Sequence, residues 1–418
     1  MTAAPALVFD AARLCLSAAN PTPRGIDRVD FAYATHFAAD WPGEAFALLP
    51  TPWGMRLFGR ARWLRGLAFL QANWSETADA DADPVLASVI AWLAGADLPP
   101  PIAPPPRSGF GQIIRGLRAT GLSYGLPVSR APAGALYINA GQQGFSSGLT
   151  THWLARRPDI ACAFMLHDVI QIDHPALVTR AGAFWARRML ATVRARADAL
   201  VTSTEAARRA IVAALGTPPT HQLVLPLPVA PAFLVRDARK ALLDRHCYFV
   251  CVGSLEPRKN HAVLVAVWRE LIARHGTAAP KLLVVGPTAH GGAPIRAMLD
   301  DPALRLHVRV MSGLSSPALR RLLAHARAAL MPSRAEGFGL PAVEALAAGT
   351  RLVHSDIPAL VEAAGGFGEV LGPDDVVGWL ETIERLSQTP GALAPEYQPM
   401  VSATYFAQLD DFLRGLVA

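Results

Sequence analysis

The sequence predicts an α/β protein with two Rossmann-like domains, each a doubly wound parallel sheet, that face each other across a cleft. Short apolar segments alternate with helical patterns in two series, one before and one after the proline-punctuated stretch 225–231. The chain also suffices for two large cores, because 52% of its 418 residues are hydrophobic and 17% are charged. We therefore predict an N-terminal domain at 1–232, a C-terminal domain at 233–400 and a final helical segment at 401–418.

The first series contains five strand candidates. They are continuous apolar runs, as expected for strands buried on both faces, at 7–9, 44–50, 135–141, 160–167 and 199–203. Helices are predicted from the loop after the first strand to Phe37 and over 176–196, and a capping pattern begins another after Ser203. An irregular insertion at about 74–130 contains a short helix at 85–94 and a proline-rich, extended run at 99–106.

The second series predicts a complete alternation of strands and helices. Its strand candidates lie at 248–252, 281–285, 308–311, 328–331 and 351–354. In the helix after the first of these strands, Val263, Leu264, Val267 and Leu271 fall on one face, which we expect to be buried. Asn260 precedes this helix and is predicted to cap it.

The stretch 332–356 has the layout strand, glycine-containing loop, helix, strand. Glu336 lies in the loop, and Glu344 follows eight positions later in the helix. Pro341 suits the first helical position, where a missing N–H costs nothing. Gly349 suits the position just past the end of the helix.

This loop predicts a phosphate site. Free backbone N–H groups crowd the start of the helix, and they belong to Gly337, Phe338, Gly339 and Leu340. Glu336 lies beside them and can accept hydrogen bonds from sugar hydroxyls or face a developing positive charge. Glu344 can reach a second polyol such as a ribose. A phosphate site flanked by two such carboxylates is what a sugar nucleotide needs.

The loop after strand 248–252 brings two cations to the start of another helix. It reads G-S-L-E-P-R-K-N-H, in which Arg258 and Lys259 come just before the helix. Both charges and the helix N–H groups can therefore converge on a diphosphate. Two solvated loop cations are the alternative that these residues leave open.

Two loops of the first series lie at the carboxyl ends of strands, where open α/β sheets bind ligands. The segment N-P-T-P-R-G-I-D-R-V places Gly25 before a helix, where backbone N–H groups can meet a ligand. The strand candidate 160–167 ends in His167. A plain strand-to-helix turn and a loop-capping histidine are the alternatives.

These segments together resemble the retaining glycosyltransferases of family 4, which have the GT-B fold. E-G-F-G-L-P-A-V-E resembles the E-x7-E motif of that family, and V-G-S-L-E-P-R-K-N resembles its G-x-L-x-P-x-K-N segment. T-P-R-G-I-D-R-V and F-M-L-H-D-V-I-Q-I-D-H-P resemble two segments of a bacterial branch of the family. The resemblance covers most of the chain and is strongest over 248–371.

The resemblance implies roles for the matched residues. Arg258, Lys259 and the amides of 337–340 would stabilise the departing nucleoside diphosphate. Glu336 would hold the sugar and the cationic character at its anomeric carbon, and Glu344 would hold the ribose. Further donor contacts would come from His167 and Gly25 beside the sugar, and from Gly253, Ser254, Gly286 and Leu314 beside the nucleotide. The resemblance also implies front-face displacement with no metal ion or other cofactor, and a C-terminal helix that returns to the first domain.

The implied reaction moves a mannose- or glucose-like hexose from a nucleoside-diphosphate sugar to an acceptor. That acceptor would be a glycan or a polyprenyl-linked saccharide in bacterial surface polysaccharide synthesis. A sugar-nucleotide epimerase, a phosphorylase and a catalytically silent subunit, all of the GT-B fold, stay open as alternatives. The insertion at about 74–130 is then either a lid on the acceptor side or a mobile loop.

Charge limits the partners. A net charge of +6 and a sequence pI near 9.4 favour anionic ligands. Nucleic acid is not expected, because the sequence has no zinc-finger spacing, RNA-binding signature or Lys/Arg tract. In the predicted helix 176–196 a basic stripe with aromatic neighbours is formed by Arg180, Arg187 and Arg194 with Phe184 and Trp185. Such a stripe predicts either a solvated face or contact with an anionic membrane.

Cysteine usage and hydropathy indicate the compartment. Four cysteines without metal-ligand spacing fit a reducing environment. We see neither a signal peptide nor an apolar run of about 20 residues that could span a bilayer. The sequence therefore predicts a cytoplasmic protein, peripheral on the inner face of the plasma membrane if the basic stripe binds lipid.

Overall fold

The computed structural model of the protein describes residues 4–18, 23, 25–74, 79–96, 111, 124–142, 148–235, 241–289, 291–389 and 397–417. The predicted extended run 99–106 lies outside the described residues. So does most of the loop that precedes Gly25. The expectations for those two segments therefore stay predictions.

Eight strands form the first sheet, in the order β4-β3-β2-β1-β5-β6-β7-β8. They are β1 (Leu7–Asp10), β2 (Ala45–Thr51), β3 (Gly54–Gly59), β4 (Leu126–Pro127), β5 (Leu136–Asn139), β6 (Ala161–Met165), β7 (Ala199–Thr202) and β8 (His221–Val224). The six strands β2, β1 and β5 to β8 run parallel, whereas β3 pairs antiparallel with both β2 and β4. The first sheet is thus a parallel core with an antiparallel edge.

The second sheet is wholly parallel, in the order β11-β10-β9-β12-β13-β14. Its strands are β9 (Tyr248–Val252), β10 (Lys281–Val285), β11 (Val308–Met311), β12 (Ala329–Met331), β13 (Leu352–Ser355) and β14 (Glu369–Leu371). The chain winds outward from β9 in one direction and from β12 in the other. The loops after β9 and β12 therefore diverge, and the crevice between them is where such sheets bind ligands.

Helices cover the faces of both sheets. They are Ala12–Ser17, Gly25–Ala39, Arg60–Asn73, Pro84–Leu93, Gly148–Thr151, Ile170–Asp173, Arg180–Arg196, Glu205–Leu215, Pro231–Leu234, Ala241–Asp244, His261–His275, Ala293–Leu299, Ser316–His325, Leu340–Ala347, Pro358–Ala364, Val376–Gln388 and Ser402–Arg414. The predicted α/β class and the two parallel-sheet domains are confirmed, and every predicted strand agrees with a strand of the structure to within two residues at each end.

The prediction missed four strands, three in the first sheet and β14 in the second, and misjudged one helix cap. β3, β4 and β8 lack a continuous apolar run, and β3 forms because the chain reverses after Thr51, where Gly54 takes a φ of +93°. Asn260 does occupy the cap position, but its φ is +53° and its side chain does not cap the helix. Its amide instead donates to the carbonyl oxygen of Pro373 at 2.6 Å. The prediction that the Asn260 side chain caps this helix is therefore wrong.

The C-terminal helix Ser402–Arg414 packs against the helix Gly25–Ala39 of the first domain. The hydroxyl groups of Tyr33 and Tyr405 lie 2.5 Å apart, and both rings are fully buried. Beside them His36 stacks on Phe406, with ring centroids 4.2 Å apart. The end of the chain therefore packs on the first domain.

Candidate active site

The loops at the β9/β12 crevice bring three charged side chains together. Nη1 of Arg258, after β9, lies 2.7 Å from a carboxylate oxygen of Glu336, after β12, and Nζ of Lys259 contacts the other oxygen. The Ser333 hydroxyl also donates to Glu336, at 2.7 Å. The Glu336 side chain is only 6% exposed. A carboxylate and two cations are thus fixed at the point where the sheet topology places a ligand.

The Arg258 guanidinium has further partners on its own side of the cleft. It donates to the Ala335 carbonyl at 3.2 Å and to a carboxylate oxygen of Glu256 at 2.8 Å. The Ser254 hydroxyl donates to the same Glu256 oxygen at 2.6 Å. Since these contacts come from two neighbouring loops, the guanidinium is held rigidly before any ligand arrives.

The electrostatics of this cluster keep Glu336 and Arg258 ionised. Burial by itself raises the pKa of Glu336, but the charges of Lys259 and Arg258 outweigh it and hold the pKa at about 2. Burial likewise opposes the charge of Arg258, yet Glu336 and Glu256 raise its pKa above the usual value. Glu336 is therefore a carboxylate at neutral pH, suited to face positive charge and unsuited to donate a proton.

The loop that follows Glu336 is hydrogen-bonded to the first domain. The Gly337 carbonyl oxygen accepts hydrogen bonds from the hydroxyls of Thr204 at 3.0 Å and Ser203 at 3.4 Å, both just after β7. A Cβ at position 337 would collide with the backbone of His167, which explains a glycine there. Gly339, with a φ of +94°, completes the turn into the helix Leu340–Ala347. The peptides expected to bind phosphate are thus aligned by contacts from both domains.

His167 lies at the end of β6, on the first-domain side of this contact. It is buried, and its Nε2–H donates to the Ala140 carbonyl oxygen at 3.0 Å. Burial lowers the pKa of His167 to about 4, so the ring is neutral at physiological pH. The structure brings His167 to the cleft beside Gly337, as a neutral group and not as a cation.

Glu344 lies apart from this charge cluster and meets a residue that the sequence did not single out for a role. Nη2 of Arg28 lies 2.7 Å from Glu344, and Nη1 donates to the Ser316 hydroxyl at 3.3 Å. The guanidinium also lies over the Phe233 ring, 5.6 Å from its centroid. The expected ribose-binding carboxylate is therefore joined to the first domain by an ion pair across the cleft.

The predicted glycine positions cluster around these loops. A Cβ at Gly25 would lie 3.4 Å from Leu340, so the start of the first-domain helix touches the expected phosphate loop. A Cβ at Gly253 would lie 3.1 Å from the side chain of Lys259, and one at Gly286 would collide with the Gly253 backbone. These glycines give room for the lysine and for close approach of the loops after β9 and β10. Phe338 and Leu314 are buried nearby in the hydrophobic core.

Sequence reasoning missed four groups at the cleft: Arg28, Ser203, Thr204 and Asp168. Burial raises the pKa of Asp168, while nearby Arg258 opposes this across the domain interface. Asp168 was visible as the residue after His167 in the H-D segment. No local signal marks the contact of Thr204 with Gly337, because the two residues are 133 positions apart.

Family comparison matches the second domain. Residues 246–389 match the family model described as Glycosyl transferases group 1. The chain is 29% identical over 154 residues to the O-antigen chain mannosyltransferase RfbU of Salmonella typhimurium, a match that covers 36% of this chain and 41% of the relative. It is 45% identical over 103 residues to the MMP alpha-(1->4)-mannosyltransferase of Mycolicibacterium hassiacum, covering 24% and 25%. The chain therefore spans well under half the length of these curated relatives.

Solved structures match the whole chain. Anabaena Alr3699/HepE in complex with UDP and glucose aligns with a TM-score of 0.60 at 14% identity, covering 98% of this chain and 100% of that one. The sucrose-phosphate synthase of Thermosynechococcus elongatus aligns with a TM-score of 0.55 at 17% identity, covering 99% and 94%. At such identity the likeness shows the fold, which is that of the GT-B glycosyltransferases.

Proposed function

We propose that this protein is a retaining, family-4-like glycosyltransferase, because residues 246–389 match the family model described as Glycosyl transferases group 1. It moves a hexose from a nucleoside-diphosphate sugar to a glycan or polyprenyl-linked saccharide in bacterial surface polysaccharide synthesis. The observation that carries the proposal is the ionised cluster of Arg258, Lys259 and Glu336 at the β9/β12 crevice. The mannosyltransferase relatives favour a mannose donor.

In this proposal the cations act on the leaving group. The bond between the anomeric carbon and the diphosphate oxygen breaks, and negative charge grows on that oxygen. Arg258, Lys259 and the amides of 337–340 stabilise this charge more in the transition state than in the ground state, so they contribute to rate. These groups supply the positive charge without a metal ion or another cofactor.

Glu336 and the acceptor complete the proposed reaction. The pKa of Glu336, held at about 2, keeps a negative charge available to face the cationic character of the anomeric carbon. The acceptor hydroxyl attacks from the face that the diphosphate leaves, and its proton passes to the departing diphosphate oxygen. Configuration is thereby retained, and no carboxylic acid has to donate a proton. His167, neutral and buried, shapes the sugar site from the first domain.

Incubation with a panel of sugar-nucleotide donors distinguishes a glycosyltransferase from an epimerase, a phosphorylase and a silent subunit. Purified protein is incubated with GDP-mannose, UDP-glucose and related sugar nucleotides, with and without saccharide acceptors, and the products are followed by mass spectrometry. We expect one donor to release its nucleoside diphosphate in proportion to an acceptor whose mass rises by one hexose. An epimerised donor without acceptor would instead indicate an epimerase. Consumption that depends on inorganic phosphate would indicate a phosphorylase, and no turnover at all a silent subunit.

The basic face of the helix Arg180–Arg196 supports a second part of the proposal, contact with an anionic membrane. Arg180, Phe184 and Arg187 share one exposed face, and Trp185 beside them is 50% exposed. Arg194 is engaged elsewhere, because it donates to the Leu215 carbonyl oxygen at 2.7 Å. Exposed aromatic rings flanked by arginines suit the interface of an anionic bilayer. Within the described part of the chain no helix has the length and apolarity to cross a membrane.

Vesicle sedimentation tests this contact. We expect binding to vesicles of phosphatidylglycerol with phosphatidylcholine, little binding to phosphatidylcholine alone, and loss of binding at high salt. The R180E/R187E variant should lose binding. The control R269E/R274E makes the same change in net charge at two exposed positions of the helix His261–His275 and should retain binding. An equal loss of vesicle binding in both variants would show that binding depends on net charge alone and not on this face.

A further inference from the structure

The helix Pro84–Leu93 belongs to the first half of the chain but is fastened to the second domain. At its C-terminal end, Nζ of Lys281, the first residue of β10, donates to the carbonyl oxygens of Trp92 at 2.8 Å and Leu93 at 3.2 Å. The same ammonium lies 4.5 Å from the centroid of the Trp92 ring. Within the predicted insertion, this helix is thus bound to the second domain.

At the other end of this helix, the Asp83 carboxylate accepts hydrogen bonds at the N-termini of two helices, its own and one of the second domain. Its Oδ1 accepts from the backbone N–H groups of Val85 at 2.8 Å and Leu86 at 3.1 Å, which caps its own helix. Its Oδ2 accepts from the Ser315 backbone N–H at 2.9 Å and from the Ser315 hydroxyl at 2.8 Å. Ser315 in turn caps the helix Ser316–His325. Asp83 is only 6% exposed, so water competes little for these bonds.

The Ser315 loop borders the expected nucleoside end of the donor site. It leaves β11 at the carboxyl edge of the second sheet, turning at Gly313 with a φ of +88°. The Arg28 guanidinium touches both Ser316 and Glu344, so this helix start lies within the span of one side chain from Glu344. The diphosphate cations lie elsewhere, in the loop after β9. The nucleoside and diphosphate ends of the site are therefore held by separate loops.

We propose that Asp83 is a positioning residue that orients the loop 312–315 for recognition of the donor nucleoside. The proposal rests on the glycosyltransferase function proposed above. Asp83 fixes both the backbone and the side chain of Ser315 from the other half of the chain. Loss of these bonds leaves buried donors without partners and lets the loop shift. Such a shift weakens contacts to the nucleoside and leaves the diphosphate cations where they are.

The D83N variant tests this split. Its amide oxygen can still cap the helix Pro84–Leu93, but its NH₂ group faces the Ser315 N–H and cannot accept from it. Calorimetry with the nucleoside diphosphate of the active donor should show a dissociation constant raised about tenfold, in line with the loss of charged hydrogen bonds. Affinity for inorganic pyrophosphate should stay unchanged. The donor KM should rise with kcat within about twofold at saturation.

Two further variants separate positioning from general stability. K281M loosens the far end of the same helix without touching Ser315, so it should leave nucleotide affinity unchanged. S315A keeps the cap of the helix Pro84–Leu93 and should give a smaller loss in the same direction as D83N. If a thermal melt shows that D83N is not folded at the assay temperature, S315A replaces it in these measurements.

Three results would overturn the inference. The first is unchanged nucleotide affinity in D83N, or in S315A if D83N is unfolded. The second is an equal loss of affinity for the nucleoside diphosphate and for pyrophosphate. The third is a loss of nucleotide affinity in K281M equal to that in D83N. A wild-type protein that binds no nucleoside diphosphate and turns over no donor would instead contradict the proposed function. The two failures are therefore distinguishable.

Discussion

The two walls of the cleft are built in different ways. On the second-domain wall, Arg258, Lys259 and Glu336 contact one another directly, through loops of a single sheet. The first-domain wall is joined to the site by contacts across the interface, as Thr204 contacts Gly337 and Arg28 contacts Glu344. The charge that binds the ligand is therefore assembled within one domain, whereas alignment of the site depends on how the domains meet. Variants of the two walls test this division.

Glu336→Gln should have the largest effect. The change removes the negative charge that faces the anomeric carbon but keeps the size of the side chain. We expect kcat to fall about a hundredfold or more, as for the loss of a preorganised electrostatic contact. Steady-state kinetics, with folding checked by circular dichroism, measures it.

Glu256→Gln is the matched control for that variant. Glu256 also pairs with Arg258, at 2.8 Å, but in the part of the chain that the structure describes it forms no hydrogen bond or ion pair with Lys259 or Ser333. It should lose much less kcat than Glu336→Gln. Equal losses in the two variants would mean that Glu336 acts only as a counter-charge for Arg258.

Arg258→Ala and Lys259→Ala should each weaken binding of the bare nucleoside diphosphate. Charge-assisted hydrogen bonds contribute about 1.5–3 kcal/mol each. Calorimetry measures the change, and Arg274→Ala is the control, because Arg274 is an exposed cation of the same domain that pairs with Glu270. Affinity that stays at the wild-type value in both site variants would remove the phosphate role.

His167 should make stability depend on pH. Burial lowers its pKa to about 4 in the folded protein, from an ordinary value of 6.5. Between these values the unfolded chain binds the proton and the folded protein does not. The contribution of His167 is therefore complete above pH 6.5 and is lost as pH falls toward 4, by about 2 kcal/mol at pH 5. Urea unfolding at pH 7.5 and pH 5 measures the loss.

His167→Asn should reduce that loss, because asparagine does not titrate. His36 provides a control, since it is a histidine at the other end of the first domain and contacts Asp410. His36→Asn should leave the His167 contribution in place. An unchanged pH dependence in His167→Asn would contradict a neutral buried ring.

Glu344→Gln should have the smallest effect and should act on binding. We expect the donor KM to rise about fivefold, roughly 1 kcal/mol, with kcat nearly unchanged, since the ribose does not react. Arg28→Ala separates the two roles of Glu344, because it removes the partner of its ion pair at 2.7 Å. Glu344→Gln is therefore also made in the Arg28→Ala variant. If Glu344 binds the ribose, Glu344→Gln raises KM in that background too. No further effect there would show that Glu344 serves only the ion pair between the domains.

The second domain was the more predictable half, and its residues show why. β9 to β11 lie at their predicted bounds, and the buried positions Val263, Leu264, Val267 and Leu271 follow the helical period. The first domain was harder because β3 and β8 are not continuously apolar. Asn260 marks the limit of local reasoning even in the second domain. Its position before a helix was predicted, but the nearby carbonyl of Pro373 took its side chain.

The amino-acid sequence alone predicts the alternation of strands and helices, the two-domain fold and the residues expected to bind a diphosphate. These depend on apolar periodicity and on helix starts, which act over a few neighbouring residues. The ion pair of Arg28 with Glu344 and the hydrogen bonds of Asp83 with Ser315, which lies 232 positions away, are seen only in the folded chain. Such pairings carry no local pattern, because they depend on how two separately folded sheets meet. Their energies come from burial and charge at that interface, which no short stretch of sequence contains.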